Sequence, residues 1–195
     1  QLEMVRELLK RGASIDLPNS LGGTALMSAA NGGHLSIVLF MLQHSASIDL
    51  QSIDGKTALM KAAYKGHEAC VQALLRAKAN PDLQDVDGFT ALMLAADQGH
   101  VTCVQALLRA KANTELLDNK DRGALQFAET KGHTTTAQLI RQHAAPPQPA
   151  AASPVTPPDA GEPAVSSPAS LPLEILESAE RGELQKVIKW LRKGG

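Results

Sequence analysis

Four histidines, His34, His67, His100 and His133, follow one another at a constant interval of 33 residues. Two cysteines, Cys70 and Cys103, keep the same interval. Imidazole nitrogens and thiolates are the usual ligands of zinc, and a thiolate is also a nucleophile. Metal binding is therefore the first chemistry this ladder raises, and disulfide formation the second. Both depend on the distance that one interval imposes. A single zinc needs its nitrogens within about 2.0–2.1 Å, and a disulfide needs Cα atoms within about 7 Å.

The elements that carry these residues are themselves repeated. The segment CVQALLRAKAN runs from Cys70 to Asn80 and recurs, unchanged, from Cys103 to Asn113. Thr24-Ala25-Leu26-Met27 returns as Thr57-Ala58-Leu59-Met60 and Thr90-Ala91-Leu92-Met93, with a degraded copy at Gly123-Ala124-Leu125-Gln126. Ala29-Ala30 returns as Ala62-Ala63 and Ala95-Ala96, and the Gly-His step at Gly33, Gly66, Gly99 and Gly132 closes each copy's first half. The threonines stand where a helix N-cap is wanted, since their hydroxyls can take a free backbone N–H. Ala-Leu-Met-x-Ala-Ala predicts a short inner helix whose small residues allow close approach. A second helix follows, with Val71, Leu74 and Leu75 at helical spacing. No such unit buries its apolar face alone, so the units must stack. Stacked helices lie about 8–10 Å apart. That is too far for two ladder histidines to share one ion or for Cys70 to bond Cys103. The cysteines read as small apolar packing residues, consistent with a reducing compartment.

The pattern resembles the ankyrin repeat, roughly D-x-x-G-x-T-P-L-H-x-A-A-x-x-G-H followed by V-x-x-L-L-x-x-G-A, over residues 1–145 and again 171–195. The resemblance implies an all-α solenoid of stacked helix pairs joined by short β-hairpin-like loops. It also implies that each ladder histidine ties an inter-helix turn to nearby backbone groups. There are departures. The Pro and His of T-P-L-H are Ala and Met here, and the glycine that ends the second helix survives as Gly12 but becomes Ser45, Lys78 and Lys111. Because glycine alone takes φ > 0 without steric cost, those turns are expected to be either strained or closed differently.

The expected organisation is a truncated unit at 1–18, represented by its second helix, then units at 19–51, 52–84 and 85–117, and a capping unit at 118–145. The chain begins at Gln1 in the middle of a unit, so it is expected to be a piece of something longer. Thr136 and Arg141 replace apolar residues of earlier copies, which predicts a polar outer face at the cap. Residues 146–172 hold nine of the eleven prolines, and this composition predicts an extended, disordered linker reaching roughly 80 Å. Residues 173–195 read as the start of a second array, with Trp190 at a core position.

A net charge of −1 gives no basic excess to attract nucleic acid. No apolar run approaches the ~20 residues that span a bilayer, and no secretory segment opens the chain. The expectation is a cytoplasmic or nuclear protein without membrane insertion, a monomer or part of a larger chain. No phosphate loop, H-E-x-x-H, C-x-x-C or G-x-S-x-G occurs. The chain is therefore not expected to be an enzyme, nor to hold a metal or cofactor.

In proteins that resemble this one, partners bind the concave side made by hairpin tips and inner helices. Positions there that depart from the repeat are Ile53, Asp54, Lys56, Val86, Asp87, Phe89, Lys120 and Arg122 at the tips. On the inner helices they are Lys61, Tyr64, Lys65, Asp97, Gln98 and Lys131. Tyr64 and Phe89 are read as outward aromatics, a favoured kind of contact anchor. With lysines around the first, the face suits a protein partner that sets acidic residues beside an apolar anchor. The expected role is a protein-interaction scaffold. The alternatives are a regulatory or targeting module of a larger enzyme and a structural subunit of a large assembly.

Overall fold

A computed structural model describes residues 2–144. These residues form nine helices: α1 (Leu2–Lys10), α2 (Ala25–Asn31), α3 (Leu35–Gln43), α4 (Ala58–Lys65), α5 (Glu68–Arg76), α6 (Ala91–Asp97), α7 (Val101–Arg109), α8 (Ala124–Thr130) and α9 (Thr134–Ala144). After α1 they come in four antiparallel pairs. The inner helices α2, α4, α6 and α8 pack in one row and the outer helices α3, α5, α7 and α9 in a second. The readings made of residues 146–172 and 173–195, Trp190 included, lie outside the described residues.

The start of each inner helix is set by the predicted cap. The hydroxyls of Thr24, Thr57 and Thr90 accept from the backbone N–H groups of Met27, Met60 and Met93 at 3.4, 3.2 and 3.2 Å. Gly123 takes the same backbone conformation at the head of α8 but has no hydroxyl to offer. The Gly-His step ends the helix, with Gly66 at φ +74° and Gly99 at φ +71°. A Cβ on Gly66 would lie 2.7 Å from the ring of His100, so glycine is required there on two counts.

The ends of the outer helices decide between strained and re-routed turns. Ser45, Lys78 and Lys111 sit at φ +61°, +71° and +63°, in the left-handed region that Gly12 occupies at +86°. The closing bonds are the same in each copy: Ala13, Ala46, Ala79 and Ala112 donate to Leu8, Met41, Leu74 and Leu107 at 3.0–3.1 Å. The turn is kept and the strain accepted, at a cost of about 1–2 kcal/mol for a residue with a side chain.

Between the pairs runs a core of alanine, leucine and methionine. Leu59, Met60, Leu74, Leu92, Met93 and Leu107 are all at most 1% exposed. Stacking is reinforced by two sets of bonds, each of which recurs at three successive interfaces. Asp16, Asp49 and Asp82 accept from the backbone N–H groups of Ser47, Asn80 and Asn113. At the hairpin tips Ile53, Val86 and Asn119 donate to the carbonyls of Leu21, Asp54 and Asp87 at 3.0, 3.2 and 3.0 Å. Each tip is closed across its own loop, as by Asp85 N–H to Phe89 O at 3.0 Å.

The two ends of the stack differ from its middle. Met4 and Leu8 on α1 occupy the positions of Cys70 and Leu74, yet they are exposed because no inner helix covers them among the described residues. At the other end the expectation of a polar outer face is half corrected. Arg141 is exposed and pairs with Glu129. Thr136 is buried at 1% exposure, in the place of Cys70 and Cys103, on a helix that packs against both α8 and α7. Its hydroxyl has no hydrogen-bond partner.

Candidate functional site

Three of the four ladder histidines are occupied with structural work, and no such bond is made by His34 among the described residues. His67, His100 and His133 each set Nε2 at 3.0–3.1 Å from a backbone carbonyl of the preceding pair, those of Asn31, Tyr64 and Asp97. Those three carbonyls belong to the last residue, or the last but one, of α2, α4 and α6. A free C-terminal carbonyl of each inner helix is thereby satisfied from the next copy. The side chains at these same positions project from the inner face, so the ladder fixes the helix ends that carry candidate contact residues.

Cys70 and Cys103 are free and buried. Burial pushes the Cys103 thiol up to about 11, and the charge of Glu68 adds to the effect. Burial pushes Cys70 up as well. Both remain protonated at neutral pH, which disarms them as nucleophiles and ligands.

The inner face itself separates into distinct groups. Ile53, Asp54, Lys56, Lys61, Tyr64 and Lys65 are brought together around two adjoining cavities. The first, about 460 Å³, is lined largely by Leu21, Met27, Ile53 and the polar groups of Asn19, Ser28 and Asn31. The second, about 470 Å³, is lined by Lys56, Met60, Lys61, Tyr64, Lys65 and Leu94. Asn31, Asp54 and Lys61 border both. Tyr64 is 42% exposed and Lys65 sets its Nζ 5.3 Å from the ring centroid. The Ser52 hydroxyl donates to Asp54. That bond holds the Asp54 carboxyl down at about 2 against the opposing effect of burial, helped by the Lys56 ammonium at 3.1 Å.

The remaining predicted residues fall elsewhere. Val86 and Asp87 are exposed at the next tip. Asp97 takes a bond from Gln98 at 2.7 Å and pairs with Lys131 at 3.8 Å. Lys120 is exposed, whereas Arg122 is committed to Asp118 through Nε and Nη2 at 2.9 and 2.7 Å. The Arg122 guanidinium also lies 4.6 Å from the Phe127 ring centroid. Phe89 is not an outward aromatic. It is half-buried against the core, with its ring 5.2 Å from that of Phe127, because the next hairpin and inner helix close over it.

Sequence reasoning missed Asp85 and Asp118. Both are buried, and their Oδ1 atoms accept two backbone N–H groups each, at 2.8–3.0 Å, shaping the third and fourth tips. For Asp118, burial raises the carboxyl, but the bonds from Arg122 and Lys120 outweigh it and hold the group below its usual range. Their recurrence one interval apart was the available signal. Leu94 was missed too, although its alternation with Lys61 between copies marked it.

The family model for ankyrin repeats (3 copies) matches residues 1–85 and 69–149. The chain belongs to the ankyrin-repeat family. Its match ends at 149 and does not extend over the likeness read at 171–195. Ankyrin repeats are in general protein–protein interaction modules rather than enzymes, and the helix pairs, hairpins and histidine turns of this chain are of that kind. No curated protein gave a match. Among the described residues no helix is long and apolar enough to cross a membrane.

Proposed function

We propose that this ankyrin array is a protein-interaction scaffold that docks a protein segment on its hairpin-tip and inner-helix face, centred on the second helix pair. One observation carries the reading. The second and third pairs are identical over residues 70–80 and 103–113, yet on the inner face Lys56, Lys61, Tyr64 and Lys65 give way to Phe89, Leu94, Asp97 and Gln98. Both sets sit at inner helices opened by the same threonine cap, Thr57 in one and Thr90 in the other. The fold does not need the lysines or the tyrosine, and they cluster around open cavities. Ring and lysine stems offer apolar area, and their charged heads offer orientation.

A photo-crosslinking side chain placed at Tyr64 tests this in cell extract, with the same group at Arg109 on the outer row as control. Capture of a protein at position 64 and not at 109 is expected. Equal capture at both, or capture at 109 alone, would move the site off the inner face.

A further inference from the structure

We infer that the segment docked there is extended and carries an apolar side chain and a carboxylate about three residues apart. This rests on the docking face proposed above and adds the chemistry of its occupant. The two cavities differ in kind. The first has the side chains of Leu21, Met27 and Ile53 in its wall, with Leu21 69% and Ile53 72% exposed, an apolar seat at the surface. The second is cationic. Asp54 and Lys56 neutralise each other at 3.1 Å. Lys61 and Lys65 have no ion pair among the described residues, which leaves two ammonium groups on this cavity, that of Lys65 over the Tyr64 ring.

The cavities lie side by side along the stack, the first between the first and second hairpins and the second reaching from Asn31 to Leu94. Neighbouring helices in a stack are about 8–10 Å apart. An extended chain advances about 3.3 Å per residue, so moving from one seat to the next takes about three residues. The field then reverses. Beyond the second cavity stand Asp87 and Asp97, the latter only loosely offset by Lys131 at 3.8 Å. A second acid farther along the segment would meet like charge, whereas a neutral or basic residue would not. The Asp54 carboxyl, held at about 2, stays ionised at physiological pH and keeps Lys56 engaged, so the excess positive charge remains at Lys61 and Lys65.

A random dodecapeptide library displayed on phage and panned on the full chain tests the inference. The expected outcome is enrichment of peptides with Leu, Ile, Met or Phe and an Asp or Glu about three positions away. A representative synthetic peptide should bind the Lys61→Glu/Lys65→Glu variant about tenfold or more weakly. It should also lose affinity as salt is raised. An Ile53→Asp variant should select peptides that keep the acid and drop the apolar residue. Recovered peptides without an acid, or binding indifferent to the lysine reversal, would overturn the partner chemistry while leaving the face intact. If no peptide is enriched while crosslinking at position 64 still captures a protein, the extended-segment idea fails and the docking face stands. If that capture fails too, the face itself is wrong.

Discussion

The outer helices α5 and α7 and the inner faces of the same two pairs make opposite use of one repeat. From Cys70 to Arg76 and Cys103 to Arg109 the outer helices are letter for letter the same, and Cys, Val and the first Leu of each are at most 1% exposed. On the hairpin tips and inner helices the two copies differ at 52/85, 53/86, 56/89, 61/94, 64/97 and 65/98, while the threonine caps, the paired alanines and the Gly-His step are retained. Residues that touch neighbours on all sides tolerate little change, because interiors are packed to crystal-like density. Residues that touch one neighbour or none are released from that constraint. What stands on the released face is a tyrosine among lysines in one copy and Asp97 with Gln98 in the next, where Phe89 and Leu94 have instead joined the packing.

The sharpest way to strain that contrast is at a buried outer position. Leu107→Ala removes a side chain with no exposure, and a loss of about 2–5 kcal/mol is expected. Urea unfolding followed by circular dichroism measures it. Tyr64→Ala in the same assay should cost no more than about 0.5 kcal/mol. Phe89→Ala belongs with the buried class, since it removes a ring that stacks on Phe127. A variant lacking both Tyr64 and Phe89 would confound binding with folding.

Asp118 sharpens the comparison at the hairpins. A carboxyl held below its unfolded value stabilises the fold at pH above that value and loses the contribution as pH falls through the folded value. The stability of the array should therefore decline on acidification below about pH 4, with Asp118 and Asp54 both contributing. Asp118→Asn, which gives up the charge facing Arg122, should be less stable at neutral pH and show a shallower acid decline in thermal melts from about pH 5 to pH 2.5. A parallel decline in both proteins would place the acid sensitivity elsewhere.

The smallest expected effect is a gain. Thr136 occupies the position of Cys70 and Cys103 but buries a hydroxyl without a partner. Thr136→Val keeps the shape and removes the polar atom, so stability should rise by about 1 kcal/mol. Differential scanning calorimetry reads the shift in melting temperature.

Which of these distinctions the sequence announces follows from locality. Caps, αL glycines and the helix pairs are local devices, and Thr57, Gly66 and the apolar spacing of α5 display them in the letters. The partner of His100 is the carbonyl of Tyr64 in the preceding copy, a contact that exists only once copies stack. Thr136 is misread as outer and Phe89 as outward for the same reason: other helices cover the first wholly and the second in part, and polarity or position within one copy does not reveal that cover. Asp85 and Asp118 look like ordinary turn acids until their carboxylates are seen folded back into their own hairpins.

The central claim is that packing is written in the outer layer and recognition in the inner face of the second pair. It is tested most directly by giving the second pair the inner-face residues that the third already carries: Lys61→Leu, Tyr64→Asp and Lys65→Gln together. The measurement is a paired one on the full chain, unfolding free energy by urea titration and capture of the partner crosslinked at the adjoining tip residue Ile53. The account predicts a stability within about 1 kcal/mol of the parent and loss of capture. Undiminished capture, or a collapse of stability with the caps and buried residues untouched, would contradict it.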